Sequence, residues 1–430
     1  MRPWIVLFIL SGFLAKNPAR AQNPQKDTLK LTIPQAEKIF LENNYQLLAQ
    51  RYNVDAQRAL ILQAKLWPNP NFSIDQGPII PIYDPTSQYP HSNFFYNSEL
   101  AAGISQLILL AGKRNKQIKL AEANTSLAEY QFFDLIRTLK YTLRSDFFNI
   151  YYMEQSARVY DSEIKALQRV VNAYAQQEGK GYIAEKEVVR IKAQLYSFQA
   201  EYVGLLNQIK GLESELRLVV QVKPNVFIDP VVDSNELAKL NPSKFTLSAL
   251  IDSALRNRTD LQIAKQNTQI NKLTYSYQKS LAVPDVTLGV SYDKQGSYAN
   301  NFTSLGASID LPFLNRNQGN IKSAKIMIDN TLALEKNAEA TVEENISNSL
   351  EIAYTQDSLF KSIDPKFSGD FERLADAELA AYQRRVIGLL EFLDFYDAFK
   401  QNVVQVNTIL YNRVQAFEDL NYYTATTFFN

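Results

Sequence analysis

The sequence predicts a mainly α-helical, α+β fold built from a duplicated helix–strand–strand–helix–helix unit. Three observations carry that prediction. Lys113 to Glu178 contains no proline and no glycine, so it reads as one helix about 100 Å long at 1.5 Å per residue. Its apolar residues Tyr160, Ile164, Leu167, Val171 and Tyr174 step by four and three, the seam of a coiled coil. The third observation is internal repetition. A shift of 214 aligns Leu31 with Phe245, Asn43 with Asn257, Leu47 with Leu261 and Pro70 with Pro284. Shifts of 205 and 204 align Leu100 with Leu305, Ile104 with Ile309, and Glu187 with Glu391.

The composition suits long helices. The 430 residues carry 45 basic and 45 acidic side chains, with few glycines and prolines, which excludes a disordered or nucleic-acid-binding chain. There is no cysteine, so disulfides, thiolate metal sites and an acylated N-terminal cysteine are excluded. The single histidine, His91, stands in a Pro/Tyr-rich loop without neighbouring carboxylates, a poor metal site. No Ser-His-Asp set, HExxH or phosphate loop is present, and Gly112-Lys113 reads as a turn and a helix start. The expectation is therefore not an enzyme, with no cofactor and no metal.

Taken in order, residues 1–21 read as a secretion signal. Arg2 opens it, Trp4 to Ala15 form a short apolar run, and Ala19-Arg20-Ala21 ends it as an A-x-A cleavage site. The first repeat, 22–222, holds a helix over 33–66, strands over 70–76 and 96–106, and helices over 113–178 and 183–221. A linker follows at 223–244, with Pro224, Pro230 and Pro242. The second repeat, 245–430, holds a helix over 247–281, strands over 285–292 and 302–311, and helices over 317–382 and 389–424. Asp364-Pro365 and Gly369 predict a bend or break within 317–382, because a helical proline removes a hydrogen bond. The helix over 183–221 has the cleanest seam, Val188, Ile191, Leu195, Phe198, Tyr202 and onward to Val219.

The strands alternate apolar residues (Phe72, Ile74; Leu100, Ile104; Val286, Leu288; Leu305, Ile309) with small polar ones. That is the pattern of a transmembrane barrel; taken alone, so weak a pattern favours a small soluble sheet packed on the helices. The secretion signal and the narrow helical seams favour the barrel. Four strands cannot close one, and an open edge in lipid is forbidden, so strands must be pooled between copies. Three chains supply twelve.

At this point the chain resembles the outer membrane efflux proteins of the TolC type. The resemblance covers about residues 31–425. It rests on the duplication and on Trp67-Pro68-Asn69-Pro70, Leu311-Pro312-Phe313-Leu314-Asn315-Arg316-Asn317-Gln318-Gly319 and Gly181-Tyr182-Ile183-Ala184-Glu185-Lys186-Glu187-Val188. It implies a homotrimer in which long antiparallel coiled-coil helices form an α-barrel joined to a 12-stranded transmembrane β-barrel, four strands per chain. It also implies an outer-membrane location with the helical barrel in the periplasm, and partners in a periplasmic adaptor and an inner-membrane transporter. The function implied is a passive exit duct for an efflux pump or a type I secretion system. With the chain running out soon after the last helix, any equatorial domain is expected to be small. The competing reading is a soluble periplasmic coiled-coil adaptor or scaffold, though the β-rich block usual in adaptors is missing.

The resemblance also points to site residues. The two helix–helix turns are expected at the periplasmic tip. Acidic residues three apart near the start of the last helix match the family's constriction; here they are Glu391 and Asp394. Three copies would make two negative rings that favour cations. Arg384, Arg385 and Arg190 are candidate latches. Glu187 is the first-half counterpart of Glu391, and Arg190 that of Asp394. The bland alternative is that first-turn acids complement the helix dipole. For the adaptor, the expected contacts are Gly181, Tyr182, Ile183, Ile387, Gly388 and Leu389; alternatively the glycines only make the turns. The loop Gly77 to Phe94 is expected to face the exterior, with Phe94, Phe95 and Tyr96 either in an interfacial girdle or packed within the loop.

Overall fold

The computed structural model describes residues 27–77, 99–295, 299–364 and 366–429. The signal segment, the loop with His91 and Phe94 to Tyr96, the start of the strand expected over 96–106, and Pro365 lie outside the described residues. In chain order the elements are β1 (Asp27–Leu31), α1 (Ile33–Asn43), α2 (Tyr45–Lys65), β2 (Asn71–Gly77), β3 (Glu99–Ile108), α3 (Lys113–Glu178) and α4 (Glu185–Val220). Between the halves come β4 (Val226–Pro230), α5 (Ser234–Ala238) and a 3₁₀ turn at Pro242–Lys244. The second half has α6 (Leu247–Asn257), α7 (Thr259–Leu281), β5 (Val286–Gln295), β6 (Asn300–Ile309), α8 (Gln318–Ser362), α9 (Phe367–Gln383) and α10 (Leu389–Thr424).

The first helix of each half is two helices, not the single ones expected over 33–66 and 247–281. Asn44 and Arg258 adopt extended backbone between them. Neither position is proline or glycine; a side chain makes the break. The Asn44 carboxamide oxygen accepts from the backbone N–H of Gln46 and Leu47 at 2.9 and 3.0 Å, capping α2. Its Nδ2 donates to the Val219 carbonyl at the end of α4, 2.8 Å away. One buried asparagine thus splices α4 to α2 end to end. In the second half Arg258 takes this place, buried and forked onto Asp260 at 3.0 and 2.6 Å. Asn44→Ala removes a cap and orphans a buried carbonyl. It is expected to cost about 2–3 kcal/mol, read as a lower urea midpoint of the helical circular dichroism signal.

The helix expected over 317–382 is broken. α8 stops at Ser362, Ile363 is extended (φ −75°, ψ 126°), and α9 restarts at Phe367. Asp364 precedes a proline, which disfavours helical backbone there, and its carboxylate accepts from the Lys366 N–H at 3.0 Å. The expected linker over 223–244 is also structured. β4 pairs in parallel with β1, Ile228 opposite Leu29. Ile228 and Leu31 are buried against Phe40, Leu143, Phe147 and Leu216, so this short sheet closes the core at the waist of the molecule. A matching second-half cluster gathers Leu250, Leu261, Val342, Ile346, Phe417 and Leu420.

The remaining strands form one antiparallel sheet in the order β2-β3-β5-β6. Phe72, Ile104, Val290 and Leu305 lie in register across all four strands on one face. The next row, Ser73, Gly103, Ser291 and Ser304, lies on the other face. The apolar face is bare; Leu305 is 86% exposed. A shallow cavity is lined by Ser73, Gly103, Ser291 and Ser304 of the small-residue row. Gly112 (φ 69°) opens α3 and Asn317 (φ 57°) opens α8, the same left-handed turn in both halves, where glycine or asparagine is tolerated. Lys113 is buried there, its Nζ 2.7 Å from both Asp285 and the Val283 carbonyl, which fixes the helices to the foot of β5.

Candidate functional site at the helical tip

α3 is the central stave. Near the sheet it packs between α2 and α7; farther away it packs between α4 and α10. α4 turns back from α3, and α10 from α9, at the same end of the molecule. Both turns use one backbone device. Tyr182 N–H bonds to Gln177 O (3.0 Å) and Gly181 N–H to Glu178 O (2.8 Å); in the second turn Val386 bonds to Ala381 (2.9 Å) and Arg385 to Tyr382 (2.9 Å). The left-handed residue of this helix C-cap is Gly181 (φ 76°) in one turn and Arg385 (φ 61°) in the other. A non-glycine residue there costs about 1–2 kcal/mol. The Arg385 guanidinium offsets part of this by donating to Gln177 Oε1 at 2.7 Å, strapping the second turn to the end of α3.

Beneath the turns lies an aromatic stack. Tyr174 stacks on Tyr382 (5.3 Å), Tyr382 on Phe392 (4.3 Å), and Phe392 meets Tyr396 (4.4 Å). Leu167, Val171, Ile191, Leu195 and Phe198 complete this core. One layer farther in, Lys400 is buried over the Phe198 ring, its Nζ 2.9 Å from Glu201 and from Asp397. Tyr160 donates to the same Glu201 oxygen at 2.9 Å. Hydrogen bonds from Lys400 and Tyr160 hold the Glu201 carboxyl below its ordinary range, against the opposing effect of burial.

Glu391 and Asp394 sit three residues apart on the exposed side of α10, opposite buried Phe392, Leu393 and Tyr396. Arg384 and Arg190 are exposed and Glu187 is half-buried. The expected latches do not close within the chain. Among the described residues no ion pair joins Arg384, Arg385 or Arg190 to Glu391 or Asp394, and Arg385 bonds Gln177 instead. Arg385 is held instead against the end of α3 by its bond to Gln177. Of the expected tip contacts, Gly181, Tyr182 and Gly388 are exposed, while Ile183, Ile387 and Leu389 are half-buried; Ile387 and Leu389 pack on the aromatic core.

Sequence reasoning missed the buried and half-buried acids of α3. Asp146 is pushed up to about 7 by burial and then by Glu215; Glu154 is pushed up to about 7 by burial and then by Asp229. Glu163 is buried with one oxygen lacking a hydrogen-bond partner among the described residues, and burial, then Asp376, push it up to about 7. A signal was available: Glu163 stands three residues after Tyr160 and four before Leu167, on the seam itself. Elsewhere, a cavity of about 250 Å³ opens between α3, the end of α10 and the start of α7. Its cations Arg137, Lys140 and Arg144 are already paired with Asp134, Glu37 and Glu418.

A duplicated chain that carries a four-stranded sheet with a bare apolar face, continued by very long antiparallel helices, has the fold of the TolC-type outer-membrane channels. The comparisons agree. No family model matches the chain. It is 22% identical over 333 residues to the cobalt-zinc-cadmium resistance protein CzcC of Cupriavidus metallidurans, covering 75% of each chain. It is similar in structure to the CmeC outer membrane channel of Campylobacter jejuni, with a TM-score of 0.73 at 14% identity over 91% of this chain and 85% of that one. It is also similar to the MtrE outer membrane channel of Neisseria gonorrhoeae in its open state, with a TM-score of 0.67 at 16% identity over 92% and 89%. The expected resemblance is thereby borne out as fold. No helix among the described residues is long and apolar enough to cross a membrane.

Proposed function

We propose that this chain is the outer-membrane exit duct of a tripartite efflux pump or type I secretion system, working as a homotrimer and conducting passively. The observation that carries the reading is that each molecule is an open arc. β2 and β6 leave free hydrogen-bonding edges at either end of the sheet. Such edges cannot persist in lipid, and three copies joined β6 to β2 make a closed barrel of twelve strands. The apolar face then meets lipid and the serine-and-glycine face meets water. The helical arc matches: Val189, Tyr196 and Val203 are exposed seven apart on α4, and Ile352 and Leu359 seven apart on α8. These are coiled-coil seams awaiting a neighbour's helix.

In this reading the helices extend into the periplasm and the tip meets an adaptor and an inner-membrane transporter. Gly181, Tyr182 and Gly388 offer the exposed docking contacts, with Ile183, Ile387 and Leu389 behind them. Glu391 and Asp394 form two acidic rings, with Glu187, Arg190, Arg384 and Arg385 around them. Such rings favour cations, and likeness to a cobalt-zinc-cadmium resistance protein makes divalent cations the substrate class to test first.

A heat-modifiable trimer extracted from outer membranes is the expected product of fractionation; a soluble periplasmic monomer would defeat the reading. In planar bilayers, Glu391→Ala/Asp394→Ala is expected to lower cation-over-anion selectivity several-fold and raise conductance. Unchanged selectivity and conductance would remove these residues from the constriction.

A further inference from the structure

We propose that residues 311–318, which run from the end of β6 into α8, clasp a second copy of this chain at its residues 69–74, in the register that β3 already makes with β5 inside one chain. The inference rests on the channel reading and specifies the surface through which one copy closes on the next.

The repeat governs strand pairing. Within the first half, Ser73 of β2 faces Gly103 of β3. Their counterparts at the shifts of 214 and 205, Thr287 and Ser308, face each other across β5 and β6. Between the halves β3 meets β5, with Gln106 facing Leu288 and Ile108 facing Val286. There β3 outruns β2, whose ladder ends at Asn71 opposite Ser105, and β5 covers the overhang. The chain beyond Ile309 is the matching overhang of β6, but among the described residues no strand lies beside it. Exposure records the difference. Ile108 and Leu109 are half-buried, whereas their counterparts Phe313 and Leu314 are 71% and 94% exposed. On the opposite edge Val286 is half-buried and its counterpart Phe72 is exposed. These two bare patches lie at the same end of the sheet, one on each open edge.

The same shifts carry the β3–β5 ladder onto β6 and the β2 of a second copy, which meet antiparallel. Leu311 then faces the neighbour's Ile74, apolar on apolar, and Pro312 faces Ser73 on the other side, so the two faces of the sheet stay separate. Pro312 favours extended backbone at Leu311. The Phe313 N–H then turns back to the Leu311 carbonyl at 2.9 Å, and Phe313 and Leu314 come to lie over the neighbour's Phe72. Asp310 faces the neighbour's Asp75 on the water side, where salt screens their repulsion.

A polar lock completes the clasp. Inside the chain, the Leu110 N–H donates to Asp285 at 2.9 Å, and Lys113 Nζ lies 2.7 Å from Asp285 and from the Val283 carbonyl. The counterparts are Asn315 and Gln318 on one side and Asn71 and Asn69 on the other. Both members of the charged pair have become amides, so no charge is buried without its mate. Gln318 Oε1 accepts from the Arg316 N–H at 2.8 Å, which leaves Nε2 to donate to the neighbour's Asn71 or to its Asn69 carbonyl. A head-to-tail contact of this kind uses each edge once and closes as a ring.

The test exploits a chain without cysteine. Positions 311 and 74 of one copy lie on opposite edges of the sheet, three strand spacings or about 14 Å apart, beyond disulfide reach, so a bond between them joins copies. In outer membranes, Leu311→Cys/Ile74→Cys is expected to oxidise to covalent dimers and trimers that reductant reverses. Leu311→Cys/Phe72→Cys and Leu311→Cys/Gln76→Cys, the registers slipped by two, are expected to crosslink less. Equal or stronger crosslinking in a slipped pair overturns the register, and heat-resistant trimers with no crosslink in any of the three overturn the clasp. For the lock, Gln318→Lys and Asn71→Asp each lower the temperature at which the trimer dissociates, and the double variant, which rebuilds the Lys113–Asp285 pair between copies, restores it. Both positions are exposed in the single chain, so the monomers fold normally. Single variants as heat-resistant as wild type, or a double variant that recovers nothing, overturn the lock. Wild-type protein that gives no heat-modifiable trimer would instead overturn the channel reading.

Discussion

Arg413→Met is expected to destabilise the folded chain by about 3–5 kcal/mol, because it strands a buried carboxylate. Arg413 is 2% exposed. Its Nε donates to Asp357 at 2.9 Å, its Nη1 to the Leu237 carbonyl at 2.8 Å and its Nη2 to the Leu240 carbonyl at 2.6 Å. Its guanidinium also lies 4.1 Å from the centre of the Phe360 ring. One side chain of α10 thus fastens α8, and the segment after β4, to the waist of the molecule. Methionine fills similar volume but leaves Asp357 with only Lys361, at 2.6 Å and largely in solvent, and leaves two carbonyls without their donor. Chemical unfolding followed by circular dichroism should show a much lower midpoint. The double variant Arg413→Met/Asp357→Leu should recover part of the loss, since it removes both charges together. If the single variant unfolds like the unmutated chain, Arg413 is not the fastening.

These contacts show where the sequence is legible and where it is not. α3 runs unbroken because Gly112 and Gly179 bound a stretch without a helix breaker, a pattern visible in one dimension. The two faces of the sheet are visible too, since strand periodicity sorts Phe72, Ile104, Val290 and Leu305 from Ser73, Gly103, Ser291 and Ser304 without knowledge of the pairing. The break at Asn44 is not visible in the same way. Its residues fit a helical period, and the carboxamide caps α2 only because the end of α4 arrives to accept its N–H. The β1–β4 pair is hidden for a related reason: two five-residue strands from distant parts of the chain give no local sign that they meet. At the tip, acidic spacing locates Glu391 and Asp394 on one face, but not what Arg385 reaches. A left-handed turn turns it toward Gln177, and turn geometry of a non-glycine residue is poorly encoded in sequence. Glu163 is the converse case, legible by position and obscured because a seam is read by its apolar members.

Tyr196→Glu is expected to abolish the proposed trimer while leaving the monomer helical. Tyr196 is 62% exposed in the single chain, so a glutamate there costs the isolated fold little. In a closed ring the same position, between Val189 and Val203 on the α4 seam, is covered by a neighbour's helix. A buried, unpaired carboxyl must then be held protonated, which at pH 7 costs about 4 kcal/mol at each interface. Three interfaces multiply the penalty, and a cyclic assembly has no partly closed state in which to avoid it. In the proposed trimer the edges of β2 and β6 would then be left open. The expected result is normal helical circular dichroism, no heat-modifiable band and no conductance in bilayers. Tyr196→Phe, which keeps the apolar seam, should assemble as the unmutated chain does. Trimers of Tyr196→Glu as heat-resistant as wild type would show that the α4 seam faces solvent in the assembly, and the ring would have to close through a different pair of helices.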